Sequence, residues 1–271
     1  IPQGNEQVTV TAEVNYYDPS GVVFTDSFEG DKKFNVVSSS DVSPNGYSQS
    51  DTYSLYGRKA ATTNSTDAYS QFSFGEHVTD VTVTAWYYDV YNANSVPSLT
   101  KFGFGINSTS NDAMGIFYDN TIAPYVNNAT KTHYGTRAPG ITISNYAWAA
   151  TDAERSTGWH KFEWNITSTG TTEKIDGKVI TANAYAGSGL SEDQKNATIK
   201  LDHCSTTYVD KLTILSKWAK SCADVIQDRH FIDGVSVVRN GTSTISETLT
   251  SGPIKLADVA YTVNPDTISV D

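Results

Sequence analysis

The sequence predicts an all-β fold, a two-sheet antiparallel β-sandwich of the jelly-roll kind with at most one short helix near 205–222. Three observations carry this. The chain holds 34 Thr, 29 Ser, 18 Asn, 19 Gly and 16 Tyr against a single Met. Thr, Tyr, Val and Phe suit a pleated, half-buried surface, while Gly, Asn and Ser suit turns. Apolar and polar residues alternate in short runs, the period of a strand. Turn residues such as Ser43-Pro44-Asn45-Gly46 separate the runs at short intervals.

The runs follow in order. Val8 to Val14 alternates cleanly, as does Val78 to Tyr88. Further strands are expected over Lys101–Ile106, Met114–Tyr118, Trp159–Ile166, Ala197–Leu201, Phe231–Val238 and Val259–Val263. Many short strands of this kind build a sandwich or jelly roll. Two segments look helical instead. Tyr208, Leu212, Leu215 and Ala219 fall near helical spacing, and Ser191-Glu192-Asp193-Gln194 has capping-box spacing. No proline lies between Pro139 and Pro253, and no linker splits the chain. Residues 1–271 therefore read as one domain, with 1–20 and 250–271 as flanking strands or as tails that join neighbouring modules or subunits.

Charge and composition exclude several classes. The formal net charge is −11. A chain this acidic lacks the basic footprint of a nucleic-acid binder and is not drawn to an anionic membrane. Apolar runs such as Gly21-Val22-Val23-Phe24 are far too short to span a bilayer. The chain begins Ile-Pro, which suggests a removed leader or a piece of something longer. The thiol-poor, Thr/Ser/Asn/Tyr-rich composition points to a secreted or cell-surface protein. Six Asn-X-Ser/Thr sequons, at Asn64, Asn107, Asn128, Asn165, Asn196 and Asn240, would make it a glycoprotein. In that setting Cys204 and Cys222 are expected to form a disulfide. A continuous helix from 204 to 222 would hold their Cα atoms roughly 27 Å apart, against less than about 7 Å in a disulfide. Either the helix is short and the chain doubles back, or the bridge does not form.

The strand over 81–88 is the most informative for function. Val81, Val83, Ala85 and Tyr87 share one face and suit a core; Thr82, Thr84, Trp86 and Tyr88 share the other. On that second face Trp86 and Tyr88 offer rings on which a sugar could stack. In the 159–166 strand, Phe162 and Trp164 suit a core, which makes His160 a buried, hydrogen-bonded histidine. Asp176-Gly177 is a turn signal, its Asp conformational.

Three stretches carry a family resemblance. They are Phe24-Thr25-Asp26-Ser27-Phe28-Glu29-Gly30, then Arg155-Ser156-Thr157-Gly158-Trp159-His160-Lys161-Phe162-Glu163 with Lys174-Ile175-Asp176-Gly177-Lys178-Val179, and Phe231-Ile232-Asp233-Gly234-Val235-Ser236-Val237. Over roughly 24–239 the chain resembles the concanavalin A-like and laminin G-like jelly-roll modules of extracellular carbohydrate-active or adhesive proteins. Gly234 stands where the commoner pattern has a second acidic residue. The resemblance implies a structural calcium ion, with Asp26 or Glu29 and Asp233 as candidate ligands among the six to eight oxygens calcium wants. The fold itself hosts lectins, glycosidases, lyases and adhesion modules alike.

A glycosidase needs two carboxylates about 5–9 Å apart, and no Glu-X-Asp-X-X-Glu strand provides them. A lyase would need a Tyr or His base with Arg or Lys. His133-Tyr134 with Arg137, and Arg229-His230, are the local clusters, but the negative charge disfavours a polyanionic substrate. No Gly-X-Ser-X-Gly elbow, phosphate loop or His/Cys metal spacing is present. The sequence thus reads as an extracellular, non-catalytic carbohydrate-binding or adhesive module. A polysaccharide hydrolase or lyase is the second reading, and a structural subunit of a surface layer or filament, pairing through its terminal strands, is the third.

Overall fold

The computed structural model describes residues 7–9, 11–37, 46–62, 68–90, 99–107, 112–119, 132–137, 149–183, 198–216, 230–250 and 254–255. Its strands are β1 (Gln7–Val8), β2 (Thr11–Tyr17), β3 (Val22–Asp26), β4 (Asn35–Val36), β5 (Ser48–Ser50), β6 (Ala60–Thr62) and β7 (Ala68–Val78). There follow β8 (Val81–Asp89), β9 (Leu99–Ile106), β10 (Ala113–Asp119), β11 (His133–Arg137), β12 (Ala149–Glu154), β13 (Gly158–Thr167) and β14 (Gly170–Ile175). The last are β15 (Lys178–Val179), β16 (Thr181–Asn183), β17 (Thr198–Lys200), β18 (Val209–Ser216), β19 (His230–Arg239), β20 (Thr244–Thr250) and β21 (Ile254–Lys255). Among the described residues no helix is long and apolar enough to cross a membrane.

The helical reading of 205–222 is corrected over its described part. Val209–Ser216 is a strand, inserted between β7 and β9. Leu212 and Leu215 fit a helical period, but Leu212 and Ile214 also fit a strand, and the β-branched Val209, Thr213 and Ile214 favour it. Leu212, Thr213 and Ile214 are all buried. Ser191–Gln194 lies outside the described residues.

The chain divides into two compact units, 23–240 and the combined segments 1–22 and 241–271. The larger unit is the sandwich. One sheet has nine strands in the order β17-β16-β12-β11-β10-β9-β18-β7-β4. The other has eight, in the order β15-β14-β13-β8-β19-β6-β5, with β3 added against β19. Val81, Val83, Ala85 and Tyr87 of β8 point into the core beside Phe162, Trp164 and Ile166 of β13. They meet Phe102, Phe104 and Ile106 of β9 and Met114 and Ile116 of β10 from the other sheet. Ring pairs tie the layers: Phe104 to Trp164 at 5.9 Å and Tyr87 to Phe102 at 5.7 Å between centroids. The Asp176-Gly177 turn closes the β14–β15 hairpin as a two-residue loop with φ of 50° and 77°, the left-handed pair of a type I′ turn.

In the smaller unit β2 pairs with β20, from Thr11 opposite Thr250 to Tyr17 opposite Thr244, and β1 pairs with β21. The two ends of the chain thus pair with each other. Glu13 through Tyr17 are all exposed.

Candidate functional site

The outer face of the eight-stranded sheet concentrates aromatic rings. The pleat sends Thr82, Thr84, Trp86 and Tyr88 of β8 to this face. Register then aligns Trp159 of β13 with Tyr88, Lys161 with Trp86, Glu163 with Thr84 and Asn165 with Thr82. On the other flank β19 sets Phe231 beside Tyr88 and Asp233 beside Trp86, and Ser236 comes opposite Thr84 only after a register shift. Gly234 sits in that irregularity with φ +54°. A Cβ there would come 2.5 Å from the Tyr56 ring and 3.0 Å from Trp86 Cδ1, so both rings lie against the bare glycine backbone. This is the position where the resembling family has an acidic residue.

Residues 51–59 cover the far end of β19. Tyr53 stacks on Tyr88 with centroids 4.2 Å apart and meets Phe231 edge-on at 5.3 Å. Trp159 meets Tyr88 edge-on at 5.2 Å. Phe231 and Asp233 are buried under this segment, although alternation puts them on the outer face. Tyr53 and Tyr56 remain 37% and 46% exposed, so the cluster presents rings to solvent.

Two carboxylates hold the segment in place. Leu55 N and Tyr56 N donate to Asp233 Oδ2 at 2.7 and 2.9 Å, and Gly234 N donates to Oδ1 at 2.7 Å. Arg58 N and Lys59 N donate to Glu29 Oε1 at 2.6 and 2.5 Å. Burial pushes Asp233 up to about 6 against the pull of its three N–H donors, with the Glu29 charge adding a little. Asp26 accepts from Phe28 N at 2.8 Å, and its Oδ2 is buried without a partner. Asp26, Glu29 and Asp233 are not drawn together as a group of three. The groups turned toward Glu29 and Asp233 are N–H donors, and among the described residues no three His, Cys, Asp or Glu side chains gather to share a cation.

Of the four residues expected to contact a ligand, Trp86 and Tyr88 join the aromatic cluster. Thr84 is buried. Thr82 donates to Asn240 Oδ1 at 2.8 Å and accepts from Asn165 Nδ2 at 2.9 Å. The sequons Asn165 and Asn240 therefore share one network. Asn107 braces 208–210, donating to Tyr208 O and accepting from Asp210 N, both at 2.8 Å. Asn64, Asn128 and Asn196 lie outside the described residues, as does Cys222. Cys204 is a free, buried thiol.

The lyase candidates do not converge. Tyr134 is buried in the core, while His133 bonds its neighbour Thr132 at 2.9 Å. His230 is buried against the Tyr87 hydroxyl at 3.0 Å, and Arg229 lies outside the described residues. His160 is buried as expected, with Nδ1 2.7 Å from Asp176. Burial pulls this histidine down, but Asp176 outweighs it and holds His160 above its ordinary value. Asp176 thus has a partner as well as a turn to make. Near it a cleft of about 390 Å³ is lined by Asp152, Glu154, Lys178 and Ile180.

Sequence reasoning missed Tyr53, Tyr56 and Trp159. The tyrosine-bearing stretch Asp51-Thr52-Tyr53-Ser54-Leu55-Tyr56-Gly57 was the available signal, because exposed aromatics in a loop carry recognition more often than packing.

Fold and site together define an antiparallel β-sandwich with an aromatic sheet face. No family model and no curated protein matches the chain. Among solved structures the fold is similar to "Cellulose induced protein, Cip1", at 13% identity over 80% of this chain and 97% of that one, with a TM-score of 0.43. It is similar to the globular domain of Trypanosoma cruzi calreticulin, at 8% identity over 80% and 88%, with a TM-score of 0.42. Domain 4 of a family-43 extracellular arabinanase from Geobacillus stearothermophilus, solved with arabinotriose, matches at 13% identity over 73% and 77%, with a TM-score of 0.36. Identities and scores this low say nothing of what this chain does.

Proposed function

We propose that this chain is a non-catalytic, extracellular or cell-surface module that binds a neutral stretch of glycan on the outer face of its eight-stranded sheet. The observation that carries the reading is the pair of rings Tyr56 and Trp86 laid against Gly234, beside the Tyr53–Tyr88–Trp159 cluster. Rings fixed by packing lose little entropy on binding and offer apolar area to the C–H face of a sugar. The carboxylates at this face are already occupied. Asp233 and Glu29 hold backbone N–H groups, and Glu163 is 3.0 Å from Lys161 Nζ. That arrangement favours binding over acid–base chemistry. Calcium belongs to this proposal only as a stabilising ion recruited by Asp26, whose Oδ2 is unpartnered; a melting temperature that calcium leaves unmoved would remove it.

The test is a panel of neutral and uronic-acid glycans with wild type and Tyr56→Ala. Wild type is expected to bind a neutral oligosaccharide. The variant should weaken that binding by at least tenfold at an unchanged urea midpoint, because Tyr56 is half-exposed. No binding anywhere on the panel, or a variant that binds as well as wild type, would sink the reading. New reducing ends or unsaturated products would replace it with an enzyme.

A further inference from the structure

Inside the sandwich lies a pair of acids that the aromatic face does not use. Asp112 immediately precedes β10 of the nine-stranded sheet and is 1% exposed; Glu173, in β14 of the eight-stranded sheet, is fully buried. Their carboxyl groups meet across the core within hydrogen-bonding reach. Thr136 of β11 donates to Glu173 Oε2 at 2.7 Å. Asp112 Oδ1, Asp112 Oδ2 and Glu173 Oε1 are buried and make no well-formed hydrogen bond among the described residues. The Thr206 hydroxyl and the buried Trp164 indole N–H are the donors turned toward Asp112. Cys204 is the third titratable group here, a buried thiol held up by burial and by both carboxyls. Asp202, which also acts on Cys204, is 2.9 Å from Lys200 Nζ. Among the described residues no cationic side chain figures among the groups acting on either Asp112 or Glu173.

Two carboxylates with nothing positive between them do not both ionise in a low-dielectric interior. Two acceptors also make no hydrogen bond; one of them becomes a donor only by carrying a proton. We propose that Asp112 and Glu173 share a proton at neutral pH and so clasp the two sheets together, and that the clasp opens when this proton leaves. A divalent cation would also neutralise the pair. The neighbours, however, are a hydroxyl already donating to Glu173 and an indole N–H, whose hydrogens suit an acid pair and not an ion.

The titration runs in the matching direction. Burial pushes Asp112 up to about 7, and burial with the Asp112 charge carries Glu173 well above its ordinary value. Both folded values exceed the unfolded ones, about 4 for a carboxyl. The contribution to stability is therefore complete below about pH 4 and is lost as pH rises through the folded values. The protons belong to the pair and not to one residue.

The experiment is urea unfolding of the full chain between about pH 5 and pH 8.5, for wild type and for Asp112→Asn/Glu173→Gln. The amide pair keeps a hydrogen bond at every pH. The wild-type folding constant is expected to fall relative to the variant's, by about tenfold per pH unit for each proton the folded pair retains. Infrared spectroscopy of wild type at about pH 7 gives a second readout that does not need the variant to fold, the C=O band of a protonated buried carboxyl. Parallel pH profiles, absence of that band, or a calcium-raised midpoint that the double variant loses would each overturn the proposal.

Discussion

Asp89 and Asp112 are both buried acids in one sandwich, and they are neutralised in opposite ways. Asp89, at the end of β8, receives Arg155 Nε at 2.9 Å and Nη2 at 3.0 Å, and the Tyr134 hydroxyl at 3.2 Å. Its countercharge is a guanidinium that does not titrate in the working range. Asp112 meets another acid, so its countercharge is a proton drawn from solution. The first arrangement is intolerant of mutation; the second is sensitive to pH and tolerant of a neutral isostere. Asp233 is a third case, satisfied by backbone N–H groups and so coupled to the position of a loop.

These differences order the expected effects. Arg155→Ala should be the most damaging, because it leaves Asp89 charged, buried and uncompensated. A loss of about 3–5 kcal/mol is expected, read as a drop in the urea midpoint at both pH 5.5 and pH 8. A loss confined to one of those pH values would show that Asp89 is also governed by protonation. Asp233→Ala comes next. It leaves the N–H groups of Leu55 and Tyr56 without their acceptor, at about 1–3 kcal/mol. Hydrogen exchange of those amides should rise, and glycan binding should fall with it. Protected amides in the variant would mean the loop is held by ring packing alone.

Asp176→Asn should be mildest. The His160–Asp176 pair is strong only where both are charged. His160 sits above its ordinary value, so its contribution is complete below about pH 6.5 and is lost as pH rises through the folded value. Burial tends to raise Asp176, but His160 and the Lys161 N–H hold it below its ordinary value. Its contribution is present above about pH 4 and disappears as pH falls through the folded value. The window is therefore mildly acidic. Asp176 is half-exposed, so solvent screening limits the loss to about 1 kcal/mol or less. NMR titration of His160 checks it: the variant's imidazole should titrate lower than wild type's.

Much of the fold was legible along the chain. The inward set of β8, the buried His160 with Phe162 and Trp164, and the Asp176-Gly177 turn all follow from period-two alternation or from the turn chemistry of adjacent residues. The strand Val209–Ser216 was not, because over so short a run Leu212 and Leu215 satisfy the helical period while Leu212 and Ile214 satisfy the strand period. Nor was the aromatic site complete: Trp86 and Tyr88 were visible on one strand, but Tyr53 and Tyr56 reach it from a loop.

By itself the sequence determined that the chain is built of strands and which residues of each strand share a face, because side-chain alternation is a local property of the backbone. It determined neither which faces are wet nor which acids have partners. Strand β2 alternates as cleanly as β8, yet among the described residues it pairs with β20 alone and is exposed from Glu13 to Tyr17, whereas β8 lies between β13 and β19 and is buried on its inner face. Phe231 and Asp233 point outward by register and are buried all the same, because a loop 177 and 178 residues away in sequence donates to Asp233. Only tertiary structure decided these points. Burial, countercharge and proton sharing are set by whatever segment arrives from elsewhere in the chain, and no local period records that.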